Sequence, residues 1–333
     1  MTFKKCILLL LLFTVSISYL TAQHYEQERA PLRAIITDGA YTLNQGEFVS
    51  KTQLFIQRFS ISMDPTPTTP LSGDEFNYLF KLSETHGKYI YGIKDWWQVE
   101  LSTRWEDRNT MSLLPASYKT MVHDSGISSP TLKFRHRFAT NDSFSDVGIT
   151  YGVKFESPSR KAAYDYLFYT SNNLDANGQQ IQYKVAPFQF GGTDFMFGFN
   201  FASELERGLL VGDIEYNYTR EFTNRFNETE NPGNFLKYNL GMVYPVGNYL
   251  RLVGEINASH YYVNRINGTK QEQTDHHHIF LSPGLQLCFG DSFIAEASYM
   301  IPLKNDLPFK DITVVSNAKL DPWVSLGIYW LYR

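Results

Sequence analysis

A bilayer-spanning helix is the first thing this sequence lacks. The apolar run Ile7–Phe13 is too short for one, and no later stretch comes near the roughly 20 apolar residues required. Cysteine is nearly absent. Cys6 and Cys288 are the only two, so a chain that loses its first residues has no intramolecular disulfide to make. An excess of one charge is missing as well: the formal net charge is −4 over 333 residues, which argues against nucleic acid as a partner. No linker divides the chain, so it reads as one unit rather than two soluble domains.

The first residues have the order of an export signal. Lys4 and Lys5 give a positive start, the apolar run follows, and Leu20-Thr21-Ala22 offers a small-residue cleavage site before Gln23. The competing reading is a retained N-terminal anchor. Cys6 precedes the apolar run, which is not where a lipoprotein cysteine sits. Residues 1–22 are therefore expected to be a signal peptide. Residues 23–45 are expected to form a periplasmic leader that either plugs a lumen or hangs free, and residues 46–333 to form the body.

What the chain does have is aromatic residues and alternation. It is 43% hydrophobic and 16% aromatic, with 22 Tyr and 25 Phe, a load natural to a membrane barrel with interfacial rings. About twelve segments alternate apolar and polar positions. Phe195, Phe197, Phe199 and Phe201 stand against Asp194, Gly198 and Asn200; Leu132, Phe134 and Phe138 stand against Lys133, Arg135 and Arg137. Tight links at Gly92–Asp95, Ala139–Asp146, Ser203–Gly208, Pro245–Asn248 and Gly290–Asp291 take turns with long polar stretches at Asp64–Glu75, Glu106–Ser125, Ser157–Gln189, Glu221–Asn234, Asn264–Asp275 and Lys304–Asp321. Short turns on one rim and long loops on the other describe an all-β fold: a single closed antiparallel transmembrane β-barrel with short periplasmic turns and long extracellular loops. The limits of the first two strands, near Phe48–Met63 and Phe76–Tyr91, are the least marked, because alternation is poor there.

Two arguments turn the apolar face toward lipid. A barrel of about twelve strands is wider than the eight-stranded size whose interior side chains just fill, so an apolar lumen would leave a large void or need a big lipid. Rings also gather at strand ends, at Trp96, Trp97, Tyr216, Tyr218, Tyr244, Tyr249, Tyr261, Tyr262, Trp330 and Tyr332, as at a lipid–water boundary. An Arg or Lys facing lipid at mid-bilayer costs roughly 2–4 kcal/mol, so the three cations Lys133, Arg135 and Arg137 must face inward. The chain ends Trp323-Val324-Ser325-Leu326-Gly327-Ile328-Tyr329-Trp330-Leu331-Tyr332-Arg333. This looks like a closing strand of the kind the barrel-insertion machinery reads, with Arg333 one residue beyond the usual final aromatic.

The candidate lumen residues are Glu100, Arg104, Lys133, Arg135, Arg137, Lys154, Glu156, Asp213, Glu215, Lys237, Arg251, Glu255 and Glu296. Rings of charge tune what a pore passes; the alternative is a salt-bridged network that closes the lumen. The row Lys133, Arg135, Arg137 would favour anions unless Glu100 and Glu156 neutralise it. His276 and His278 share a face, His260 could approach them, and imidazoles ligate zinc or copper, which makes these three weak metal candidates in a polar rim. No cofactor is expected. A lipid hydrolase would need a Ser–His pair on the outer wall; His123-Asp124-Ser125 is nearest and reads as loop, and His136 has no serine beside it, so no enzyme is expected. Another alternative is a structural or surface-binding barrel, for which the aromatic stretch Tyr164, Tyr166, Phe168, Tyr169 would be a lid or contact element.

Several short segments, in order, resemble one known family. They are Tyr91-Gly92-Ile93-Lys94-Asp95, Gly126-Ile127-Ser128-Ser129-Pro130-Thr131-Leu132-Lys133, Gly152-Val153-Lys154-Phe155-Glu156-Ser157-Pro158, Gly191-Gly192-Thr193-Asp194-Phe195, Leu281-Ser282-Pro283-Gly284-Leu285 and Ala297-Ser298-Tyr299-Met300-Ile301-Pro302-Leu303. The chain resembles the outer-membrane barrel family named for a MetA pathway of phenol degradation and described as transporters. The resemblance implies an outer-membrane barrel that moves small, aromatic compounds. Together with the lumen cations, the expectation is a barrel in the outer membrane of a Gram-negative bacterium, surrounded by its lipid, for passive passage or capture of small, aromatic or anionic, solutes.

Overall fold

The computed structural model describes residues 35–63, 76–113, 119–127, 129–138, 145–155, 167–174, 180–185, 193–223, 229–270, 275–305, 315–320 and 322–333. Its strands are β1 (Phe48–Met63), β2 (Phe76–Lys94), β3 (Trp97–Leu113), β4 (Lys119–Ile127), β5 (Thr131–Phe138), β6 (Ser145–Lys154), β7 (Leu167–Leu174), β8 (Gln180–Val185), β9 (Asp194–Leu205), β10 (Gly208–Thr219), β11 (Phe222–Thr223), β12 (Thr229–Asn231), β13 (Phe235–Val246), β14 (Leu250–Tyr261), β15 (Arg265–Ile266), β16 (Thr269–Lys270), β17 (His276–Phe289), β18 (Phe293–Asn305), β19 (Val315–Leu320) and β20 (Trp323–Tyr332). The main sheet runs β1-β2-β3-β5-β6-β9-β10-β13-β14-β17-β18-β20, and β20 returns to pair antiparallel with β1 from Phe48↔Tyr332 to Ile56↔Val324. The result is a closed antiparallel barrel of twelve staves.

Two staves are built from two pieces. β4 and β5 both pair with β3, and β19 and β20 both pair with β1. Pro130 stands at the first gap and Pro322 at the second. Proline has no N–H for the ladder, so it sits where a strand can afford a break. Between Ile127 and Thr131 the broken stave advances four residues while β3, from Trp105 to Ser102, advances three. The same step separates Leu320 and Val324 opposite Phe59 and Ile56. Each break is thus a one-residue bulge that lets the stave continue in register above it.

The side-chain faces follow the alternation. In β9, Phe195, Phe197, Phe199 and Phe201 are exposed, while Asp194, Met196, Asn200 and Ala202 are buried. Phe199 is 55% exposed and its neighbour Asn200 only 5%, a contrast that fixes which face meets lipid. At the short-turn rim, Trp96 stacks on His136 at 4.8 Å and Trp330 on Tyr332 at 5.5 Å, as interfacial rings do.

Three expectations change. The stretches Glu106–Ser125 and Lys304–Asp321 are not wholly loop: β3 runs to Leu113 and meets β4 from Lys119, and β19 occupies Val315–Leu320. His123-Asp124-Ser125 accordingly lies on β4. Glu106–Thr110 is a run of five polar residues and Val315–Leu320 does not alternate strictly, so the ladders that backbone pairing continues there read as loop. Other long connections carry short strands: β7 pairs β8, and β11, β12, β15 and β16 form a small four-stranded sheet. Tyr261, expected among the rim rings, points inward with Arg251, Glu255 and Asn257, because it shares their parity on β14.

The lumen is also less polar than the alternation implies. At the short-turn end, Ala202, Leu209, Val211, Val243 and Val253 form one buried inward patch, and Val49, Ile90, Cys288, Ile294, Tyr329 and Leu331 form another. The void that would disfavour apolar inward residues is filled by the chain itself. Ile35 and Ala40 pack on the first patch and Leu43 on the second.

Candidate functional site

Residues 35–46 enter the lumen from the start of β1. At the rim, the Gly46 N–H donates to the Gly92 carbonyl and the Gly92 N–H to the Glu47 carbonyl, both at 2.9 Å. Gln45 N donates to Asp95 Oδ1 at 2.8 Å and Leu43 N to Gln98 Oε1 at 3.0 Å. Glycine is needed at two close approaches: a Cβ on Gly92 would lie 2.0 Å from the Asn44 carbonyl oxygen, and one on Gly39 would lie 2.8 Å from Val211 Cγ1. Tyr41 lies under the Arg137 guanidinium, 5.2 Å from its ring centre, and donates its hydroxyl to Glu204.

Deeper in, the segment uses its backbone as a donor. Ile36 N and Thr37 N both reach the Glu255 carboxylate, the latter at 2.6 Å, and Asp38 N reaches Asp213 Oδ1 at 2.9 Å. The Ile35 carbonyl accepts from Lys51 Nζ at 2.6 Å. Asp38 extends its carboxylate to Arg135 at 3.3 Å and to Lys88 at 3.6 Å. One short strap therefore touches inward groups on β1, β2, β3, β5, β9, β10 and β14.

Around and above it the wall charges pair with one another. Lys51 meets Glu296 at 2.7 Å, Lys133 meets Glu215 at 2.5 Å, Arg137 meets Asp146 at 2.8 Å, and Lys154 meets Asp194. Arg104 bonds to Glu106 at 2.6 Å and reaches Glu84 at 3.5 Å. Lys237 stands 3.9 Å from Glu215 and over the Phe235 ring. A chain of side-chain bonds, Ser282 to Asn257 to Asn239 to Asp213, crosses four staves on the same inward face.

The expected lumen residues Glu100, Arg104, Lys133, Arg135, Arg137, Lys154, Asp213, Glu215, Lys237, Arg251, Glu255 and Glu296 all lie on the inward face, and Glu156 lies outside the described residues. The row Lys133, Arg135, Arg137 is partnered, but by Glu215, Asp38 and Asp146; Glu100 turns instead to Lys88 at 3.2 Å. Glu106 and Asp146 read only as loop or link limits, although each shares parity with a lumen residue named on its strand. Asp194 stands on the polar face of its strand but outside the named lumen set, and Lys51, Glu84 and Lys88 lie on the two strands whose alternation is poor. Asp38 and the strap backbone left no such signal.

His260 does not join His276 and His278. It pairs with His277 on the outward face, while His276 and His278 point inward. Among the described residues no group of three His, Cys, Asp or Glu side chains is placed to hold a metal.

The inward imidazoles belong to a row of rings at the long-loop end of the lumen. Phe235 stacks on Tyr261 at 5.4 Å, and Tyr261 on His276 at 4.3 Å and 12°. His278 lies 4.9 Å from His276, Phe280 6.2 Å from His278, and Trp323 5.2 Å from Phe280. Phe55 and His86 add a pair at 4.6 Å on β1 and β2. The Trp323 indole N–H is buried with no hydrogen-bond partner among the described residues. A buried donor without a partner is rare in native structures.

No family model matches the chain, and no curated protein matches it by sequence. Among solved structures, an outer membrane channel from Pseudomonas putida F1 aligns over 88% of this chain and 98% of its own, with a TM-score of 0.59 and 12% identity. The architecture is that of an outer-membrane β-barrel. The toluene transporter TbuX of Ralstonia pickettii shares the barrel more loosely, with a TM-score of 0.43 and 9% identity over 87% of this chain and 90% of its own. The translocator domain of the autotransporter NalP from Neisseria meningitidis does so with a TM-score of 0.45 and 10% identity over 86% and 89%.

Proposed function

We propose that this barrel is a strap-gated channel of the Gram-negative outer membrane, passing small aromatic solutes without an energy source. The reading rests on one observation: the lumen has two tiers. The long-loop end carries a row of inward rings, from Phe235 to Trp323, that offers π faces to a flat solute. The short-turn end is occupied by residues 35–46, held by carboxylate, backbone and apolar contacts. A vestibule above a stoppered floor suits capture first and passage after the stopper yields. Insertion would proceed through β20, and lipid would cover the exposed rings.

The test compares the full chain with a variant lacking residues 23–46, both checked for the heat-resistant folded band on a gel. The full chain is expected to conduct weakly in planar bilayers. The shortened barrel is expected to conduct steadily and to admit toluene-sized solutes into liposomes. A shortened barrel that folds yet neither conducts nor admits solute would replace the channel with the structural alternative, a barrel closed by its own ion pairs.

A further inference from the structure

Arg135 is partnered differently from five other lumen cations among the described residues. Lys51, Arg104, Lys133, Arg137 and Lys154 each meet a carboxylate carried by another stave or by their own, and the pairs that span staves also tie the wall together. Arg135 is 4% exposed, and the carboxylate that meets it is Asp38, carried by the strap. On the wall its own hydrogen bond is a long one, from Nε to Thr150 Oγ1 at 3.4 Å. Lys88 is shared between Glu100 of β3 and the same Asp38. A guanidinium stays charged at any ordinary pH. A buried cation that loses its partner is strongly destabilising. A departing strap takes its carboxylate from Arg135 and Lys88, a loss that another anion in the place of Asp38 makes good.

We infer that Lys88 and Arg135 form an anion site of the pore, that Asp38 is its built-in occupant, and that a small organic carboxylate opens the channel by displacing it. This rests on the channel reading above and adds to it the chemistry that releases the strap. The two cations sit on β2 and β5, on opposite sides of β3, and face the same Asp38 carboxylate, one to each oxygen. Asp213 and Glu100 also lie within electrostatic reach of Arg135. If Asp213, freed of its bond from Asp38 N, turned to Arg135, no solute anion would be needed.

Cys288 supplies the probe. It is buried in the apolar cluster that Leu43 of the strap completes, and it is the one cysteine beyond the export signal. Displacement of the strap opens that cluster to a small thiol reagent. In the full-length barrel, benzoate is expected to speed Cys288 labelling about tenfold and to saturate, a modest population shift, whereas neutral benzyl alcohol leaves the rate unchanged. Asp38→Asn is expected to label fast without benzoate. Arg135→Gln is expected to lose the benzoate response; if it gives no folded band, Lys88→Gln takes its place. Equal rates with benzoate and benzyl alcohol, or a full response in Arg135→Gln, would overturn the inference. So would an Asp38→Asn barrel that stays as slow as the parent. Those outcomes leave conduction by the shortened barrel untouched, so failure of the anion site and failure of the channel reading are separate results.

Discussion

The two ends of the lumen are held by different physics. At the short-turn end, opposite charges, backbone donors and small apolar side chains meet within a strap that belongs to the chain. At the long-loop end, flat rings stand in a row on β13, β14, β17 and β20. Charge pairs across a wall fix its shape, and removing one partner is costly. Paired rings are worth about 0.5–1.5 kcal/mol a pair and also present a surface to which a guest can add. On the channel reading proposed above, the lower tier would set closure and the upper tier solute contact, so mutations in the two should have different readouts.

The sharpest break is Glu215→Ala. It removes the partner of Lys133 at 2.5 Å and of Lys237 at 3.9 Å. The cost is expected to be about 3–5 kcal/mol, seen as a lower temperature for loss of the folded gel band. An unchanged temperature would mean that the ion lattice does not hold the wall. Leu43→Ala should come next. Leu43 is 1% exposed, and truncation is expected to weaken strap docking by about 2–3 kcal/mol while the folded band persists. Faster Cys288 labelling with an unmoved gel temperature would separate strap from wall. Gly92→Val attacks the same docking by steric clash with the Asn44 carbonyl and should give the same labelling result.

Tyr261→Ala tests the upper tier. It interrupts the stack between Phe235 and His276, and solute affinity should fall by about 0.5–1.5 kcal/mol with strap docking unaltered. Quenching of tryptophan emission by an added aromatic solute measures it. Equal quenching in parent and variant would remove the ring row from the solute path. The smallest effect belongs to Arg333→Ala. Arg333 reaches Glu47 at 3.4 Å from an exposed position, so the change should cost less than about 1 kcal/mol by melting.

The staves were legible because lipid imposes a period of two on whatever crosses it. Phe195 to Phe201 and Val324 to Tyr332 show it without interruption, and their faces fall as read. Legibility faded in two places for stated reasons. The ladders of β3 with β4 and β1 with β19 continue where Glu106–Thr110 is all polar and Val315–Leu320 does not alternate strictly, so those stretches read as loop. At the lumen floor, Val243 and Val253 occupy inward positions that alternation assigns to polar residues. They can be apolar because Ile35 and Ala40 cover them, a tertiary fact with no local trace. The strap itself has no period. Its bonds to Glu255 and Asp213 come from backbone N–H groups, which every non-proline residue carries. The ion-pair partners were half visible: the parity of Lys133 and Arg135 put them inside, but which carboxylate crosses to meet each depends on barrel width.

Asp38 lies ten residues before Phe48, the first residue of a stave that cannot leave the wall. A ligand on so short a tether acts at an effective concentration of the order of millimolar, however dilute the protein. A free anion competing for Lys88 and Arg135 works against that fixed local supply. Trace amounts of solute would leave the barrel shut even if each bound as well as Asp38. The gate would answer to solute abundance as a threshold, and shortening or lengthening the stretch between Asp38 and Phe48 would move that threshold without altering a single binding group.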